Sequence, residues 1–286
     1  MMNSTIQSII EMHDLGALRN ILPVSGGSIN ETFRVETDQG ILFVKLNDSS
    51  RFPNMFEAES AGLKILSKSS FRVPKPVLSG IQGKQQFLIL DWIEQGNPSL
   101  HFWDGFGKCL AQMHTISEEK FGLDASNYIG SLEQSNKKHE NWADFYRDER
   151  LIPQMKLAEK AGLLSNRMKL GFKALFNELY NIYPTEKPSL LHGDLWSGNM
   201  MVDSEGFPTI FDPAVYFGHR EMDLAMMALF GGFGDSWIDA YNEIYPLEPD
   251  WQQRIPIGSL YPLMVHVNLF GNSYVRSVET ILQKFT

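Results

Sequence analysis

A chain of 286 residues with 43% hydrophobic and 21% charged residues has ordinary globular composition, long enough for one large domain or two closely packed lobes and free of disordered or fibrous bias. Its formal charge of −9 argues against a basic groove for nucleic acid or a polybasic membrane patch, so a bound polyanion would need a local site helped by a divalent cation. The single cysteine, Cys109, excludes an intramolecular disulfide and a thiolate-rich zinc site, and a reducing cytoplasm is the expected setting.

Met1 to Asp14 carries neither a basic n-region nor a secretory apolar stretch, and no export is expected. An opening helix is predicted from Ile6 to Asn20. Val24 to Asn30 is a small-residue loop between the first two strands. It leads into a half-alternating strand, Thr32 to Thr37, and Asp38-Gln39-Gly40 reads as a hairpin turn into Ile41 to Leu46. From Pro53 to Lys68 the spacing of Met55, Phe56, Leu63 and Leu66 is helical, with Pro near the first turn. Phe87 to Leu90 is a further short strand, and beyond Asp91-Trp92-Ile93 the pattern turns helical, at Trp103 to Thr115, Trp142 to Gly162 and Ser165 to Tyr183. Leu190-Leu191 and Thr209-Ile210-Phe211 read as strands on either side of a loop. The longest strongly apolar run, Leu224 to Phe233, falls short of the roughly 20 residues that span a bilayer. The closing helices are expected to break at Pro246, Pro249 and Pro256. The expected fold is α+β and two-lobed: a small β-rich N-terminal lobe, residues 1–91, and a larger mainly helical C-terminal lobe, residues 92–286, with a ligand cleft between them.

The chemistry concentrates in Leu190-Leu191-His192-Gly193-Asp194-Leu195-Trp196-Ser197-Gly198-Asn199, followed by Asp212 at the end of an apolar strand. Phosphoryl transfer needs an acceptor-activating carboxylate and oxygen ligands for magnesium, held on short loops between strands. Asp194 and Asn199 have the spacing of a kinase catalytic loop, and Asp212 stands where the magnesium carboxylate belongs. A polar turn without chemistry would not need all three side chains in this order. A kinase also needs a strand lysine for the phosphates and a helical glutamate to orient it. Lys45 ends its strand, and the next helix offers Glu57 and Glu59. Positions 55, 56, 59, 62, 63 and 66 share one face, which makes Glu59 the inward acid, whereas Glu57 groups with Lys64 and Lys68 on the wet side. Gly26, Gly27 and Ser28 supply small residues where backbone N–H groups can approach phosphates.

Other readings weaken at the same residues. There is no Walker-type phosphate loop and no paired-histidine metal spacing. Gly231 to Gly234 follows a helix-like segment and reads as a helix end. His192 reads as a brace of the catalytic loop, and Cys109 and His114 as core residues of a packed helix.

These segments resemble the fructosamine kinase (ketosamine-3-kinase) family, related to aminoglycoside and choline kinases within the protein-kinase-like fold. The similarity extends to Met55 to Glu59, Asn127 to Gly130, the Trp196-Ser197 pair, Tyr216 to Met226, and Leu260 to Gly271. The resemblance implies ATP- and Mg2+-dependent phosphorylation of the sugar 3-hydroxyl of ketosamines, small or carried on glycated proteins, with deglycation as the outcome. It implies Asp194 as base, Asn199 and Asp212 as magnesium ligands, Lys45 with Glu59 aligning the phosphates, and the backbone of Asp91, Trp92 and Ile93 receiving adenine. Trp196, two residues past the base, is expected to line the acceptor side, the alternative being a core tryptophan. Where some relatives carry a loop cysteine that permits redox control, this chain has Ser28. A monomer is favoured. A kinase of another hydroxylated amine, such as an aminoglycoside or choline, would use the same catalytic parts. A silent nucleotide-binding module would lack at least one of them, and a protein kinase would show an A-P-E segment after Asp212.

Overall fold

The computed structural model describes residues 2–25 and 29–285. The expected phosphate loop, Gly26, Gly27 and Ser28, therefore lies outside the described residues. Helix α1 (Met2–Met12) places Ile6, Ile9 and Ile10 on one buried face, the spacing of an amphipathic helix. It is shorter than the sequence predicts. Asp14 and Gly16 take positive φ, and the residues expected to continue the helix instead form β1 (Leu18–Pro23). The apolar spacing suits a helix, but pairing with β2 (Glu31–Thr37) wins. That hairpin continues into β3 (Gly40–Asp48) through the predicted turn, with Thr37 opposite Gly40.

Helix α2 (Met55–Leu66) follows, and then a second hairpin, β4 (Pro76–Gln82) and β5 (Gln85–Asp91). The antiparallel sheet has the order β1-β2-β3-β5-β4. Pro76 and Gly80 hid β4 from the periodicity. Gly80 is needed there, since a Cβ would lie 2.9 Å from the Phe87 ring. Strand alternation sorts the faces of the sheet. Val44, Leu46, Phe87 and Ile89 pack with α1, whereas Leu88 and Leu90 pack with α2. Lys45 and Asn47 share the α2 face.

The rest of the chain is mainly helical. Helix α3 (Phe102–Thr115) buries Cys109 and His114, as the sequence suggests. A short hairpin follows, β6 (Asn127–Ile129) and β7 (Leu132–Gln134). Helix α4 (Trp142–Phe145) runs through a π-helical turn, Tyr146–Leu151, into α5 (Ile152–Lys160). In α6 (Asn166–Ile182), Ser165 Oγ caps the Met168 N–H. Two small ladders frame the catalytic loops: β8 (Ser189–Leu191) pairs with a later strand, and β9 (Met200–Val202) pairs with β10 (Pro208–Ile210). The partner of β8 is β11 (Tyr216–Gly218). Helix α7 (Glu221–Phe230) ends at Gly231, as predicted, with φ 67°. Helices α8 (Trp237–Ile244), α9 (Trp251–Gly258), α10 (Leu260–Phe270) and α11 (Val275–Leu282) close the fold.

Pro246 and Pro249 lie between helices as expected, but Pro256 sits inside α9. The missing N–H there does not break the helix at once; α9 gives way two residues later at Gly258. Among the described residues, no helix is long and apolar enough to cross a membrane.

One core cluster joins α2 and the sheet to α3 and α7 through Phe56, Leu88, Leu110, Leu190, Val215 and Leu224. Two glycines of α3 separate packing from propensity. A Cβ at Gly107 would lie 2.1 Å from Trp237 O, whereas Gly105 has nothing within 4 Å. In thermal unfolding, Gly107→Ala is expected to destabilise by about 1–3 kcal/mol through overpacking. Gly105→Ala should stabilise by about 0.5–1 kcal/mol.

Candidate active site

The loop after β8 begins with a tight turn at Gly193, whose φ is 82° and where a Cβ would lie 2.1 Å from Ala214 O. Only glycine fits this approach. His192 braces the loop, as the sequence suggests. Its Nδ1 accepts from the Asp194 N–H at 3.2 Å, and its Nε2 donates to Phe211 O at 3.0 Å, tying the loop to the strand that leads into Asp212. Burial lowers the imidazole pKa and keeps it neutral, the form these two bonds require.

A second brace was not assigned from the sequence. Asp223 of α7, almost fully buried, accepts the N–H groups of His192 at 2.8 Å and Gly193 at 2.9 Å. Its Oδ2 also lies 3.4 Å from His114 Nε2, and His114 Nδ1 meets the Tyr241 hydroxyl at 2.8 Å. The available signal was a carboxylate in the apolar run Met222 to Met227, since a buried acid needs donors.

In front of these braces, Asn199 Nδ2 donates to Asp194 O at 2.9 Å and to Asp194 Oδ2 at 3.0 Å. Burial is the main influence on the Asp194 carboxyl and pushes it up to about 7. Lys45, only 2% exposed, donates to Glu59 Oε1 at 2.7 Å and to Asp212 Oδ1 at 2.5 Å. Burial alone would lower the lysine pKa, but the charges of Asp212 and Glu59 outweigh it and raise it. Glu59 points inward and Glu57 is exposed, as the helical face predicts. Asp212 holds φ 55°, an uncommon backbone for a residue with a side chain.

Asn199 Oδ1 and Asp212 Oδ2 have no hydrogen-bond partner among the described residues. Two such oxygens fit magnesium, which takes few protein ligands and completes its shell with phosphates and water. Among the described residues there is no cluster of three or more His, Cys, Asp or Glu for another metal.

Lys45, Glu59, Asp194, Asn199, Asp212 and Trp196 all line one cavity of about 190 Å3. Trp196 is 39% exposed rather than core. Its ring lies beside Phe230 and over Gly198, where a Cβ would meet the indole at 2.1 Å. Asp91, Trp92 and Ile93 do not line this cavity. They stand at the far end of β5, with the Trp92 ring near Phe43 and under the Arg34 guanidinium, its Nε1 donating to Glu94.

The sequence profile of the family described as fructosamine kinase matches residues 1–286. A protein of Enterococcus faecium named "Probable ketoamine kinase" is 38% identical over 98% of this chain and 99% of its own length. The chloroplastic protein-ribulosamine 3-kinase of Arabidopsis thaliana is 35% identical over 92% of this chain and 81% of its own. A crystal structure assigned as a fructosamine-3-kinase from Thermobifida fusca superposes with a TM-score of 0.86 at 33% identity, covering 97% of each chain. An aminoglycoside phosphotransferase captured with AMP-PNP and hygromycin B gives a TM-score of 0.68 at 12% identity over 98% of each chain, a likeness of fold.

The Lys45 pairing separates the two acids of α2. A hydrogen bond to a charged group contributes about 1.5–3 kcal/mol, so Glu59→Gln is expected to lower kcat/KM for Mg-ATP by about ten- to a hundredfold. Glu57→Gln should stay within about twofold. Equal losses in steady-state kinetics would contradict the pairing.

Proposed function

The chain belongs to the fructosamine kinase family, and on that premise we propose that it transfers the γ-phosphoryl group of ATP to the sugar 3-hydroxyl of a fructosamine or related ketosamine, free or carried on a protein lysine. Its fold is the protein-kinase-like α+β architecture of its structural neighbours. The observation that carries the reading is the convergence of Lys45, Glu59, Asp194, Asn199 and Asp212 on one cavity.

In this reading residues 1–91 hold the nucleotide and residues 92–286 supply the catalytic loops. The backbone of Asp91 to Ile93 receives adenine, Gly26 to Ser28 approach the phosphates, and Lys45 binds them while Glu59 orients it. Asn199 and Asp212 would hold magnesium, which supplies charge neutralisation at the phosphate oxygens when bound. Asp194 accepts the proton of the attacking hydroxyl and keeps its oxygen in line. A carboxyl pKa near neutrality suits that task, because a general base works best near the ambient pH. Trp196 offers a flat apolar wall against which a sugar can pack.

Release of ADP from ATP in the presence of fructosyl-lysine, ribulosyl-lysine, an aminoglycoside and choline tests the acceptor class. Turnover is expected with the first two compounds only, and turnover with choline or the antibiotic alone would overturn the reading. The two carboxylates should separate. Asp194→Asn is expected to lose about 10²–10⁴ in kcat with Mg-ATP affinity little changed. Asp212→Asn should weaken calorimetrically measured Mg-ATP binding as well as turnover. Loss of ATP affinity in Asp194→Asn would move that residue into the metal site.

A further inference from the structure

Asn30 lines the catalytic cavity and has no role in the scheme above. It follows the glycine-rich loop and immediately precedes β2. Its Oδ1 accepts from Asn47 Nδ2 at 2.8 Å, which leaves both N–H groups of Asn30 Nδ2 without a partner among the described residues.

Asn47 is an unusual residue for its place. It stands on β3 two residues beyond Lys45, on the face that packs against α2, and is 8% exposed. Its Nδ2 also lies 3.3 Å from Met55 Sδ, while its Oδ1 is buried without a hydrogen-bond partner among the described residues. An orphaned amide oxygen in such a setting destabilises the fold, and a leucine of similar size would remove that cost. What the amide supplies is the orientation of Asn30.

The strand register locates this pair relative to the nucleotide. Leu42 faces Asp91, Lys45 faces Leu88, and Asn47 faces Gln86. With about 3.4 Å per residue, Asn47 lies about 17 Å from the Asp91 end of the ladder and about 7 Å beyond Lys45. With adenine at the Asp91 end and phosphates at Lys45, Asn30 and Asn47 stand further along the ladder than Lys45, and Asn30 faces the cavity it shares with Asp194, Trp196 and Tyr128. The hairpin of β6 and β7 closes that corner. Tyr128 lines the cavity and donates from its hydroxyl to Pro53 O at 2.9 Å, and Gly130 brings the turn close to the Ile29 side chain.

We propose that Asn30 is a specificity-determining residue of the acceptor site, donating from Nδ2 to an oxygen of the polyhydroxylated acceptor, with Asn47 as the residue that positions it. The proposal rests on the ketosamine kinase reading and the adenine placement given above. Steady-state kinetics with ATP and fructosyl-lysine, each varied, on the wild type, Asn30→Ala and Asn47→Leu test it. Both variants are expected to raise the acceptor KM by about two- to tenfold, the range of one neutral hydrogen bond, with the ATP KM within about twofold. Asn47→Leu should do so with an equal or higher Tm, which a merely structural asparagine would not allow. An ATP KM that rises as much as the acceptor KM would place Asn30 on the phosphates instead. Unchanged KM values, or a lower Tm for Asn47→Leu without a change in acceptor KM, would also overturn the proposal. Wild-type protein that turns over no ketosamine would remove the underlying reading itself, a result distinct from any difference between the variants.

Discussion

The ammonium of Lys45 is the charge around which the two lobes are assembled. It lies on β3, almost fully buried, and its partners come from α2 and from the loop that follows β10. The Glu59 pair is largely withdrawn from water and holds the ammonium firmly, whereas Asp212 is 44% exposed, so solvent screens its share of the pairing. The consequences spread outward. Helix α2 must turn Glu59 inward, and its apolar face then packs on the sheet. Gly62 lets the helix approach the segment after Asp212, where a Cβ would lie 3.3 Å from the Val215 side chain. Asp212 tolerates a left-handed backbone because the pairing and the neighbouring loop over-determine it.

The catalytic loop is fixed from the opposite side. Asp223 holds two backbone N–H groups and His192 links the loop to Phe211 O, so Asp194 is placed by main-chain bonds rather than by contacts of its own carboxylate. Among the described residues, the one side-chain partner of its carboxylate is the amide of Asn199. A half-buried carboxylate with so few donors takes up a proton more readily than an ordinary aspartate, which is the property a base for a sugar hydroxyl requires. Lys45 and Asp194 thus receive opposite treatments in one cavity. The first is surrounded by opposite charge, and the second is left nearly alone.

Much of this was legible where the chemistry depends on local spacing. Asp194, Asn199 and Asp212 are readable because a strand, a loop and a strand keep them close in the chain. Glu59 separates from Glu57 because helix geometry is a local property. The long-range partners were not readable in the same way. Asp223 and His192 are 31 residues apart, His114 and Asp223 are 109 apart, and nothing in either local segment specifies the pairing. Asn30 and Asn47, 17 apart, meet only because β2 and β3 pair in one register. The same limit explains the misjudged length of α1. The apolar spacing through residues 18–20 suits a helix, and the strand that forms there is imposed by pairing with β2.

The hydroxyl that receives the phosphate defines the reaction. Phosphorus-31 NMR of the products formed from ATP and fructosyl-lysine reads this directly, through coupling of the new phosphomonoester to the sugar protons. The expected result is one phosphomonoester coupled to the proton on carbon 3, formed in step with ADP. Inorganic phosphate as the sole product, or an ester at another carbon, would contradict it.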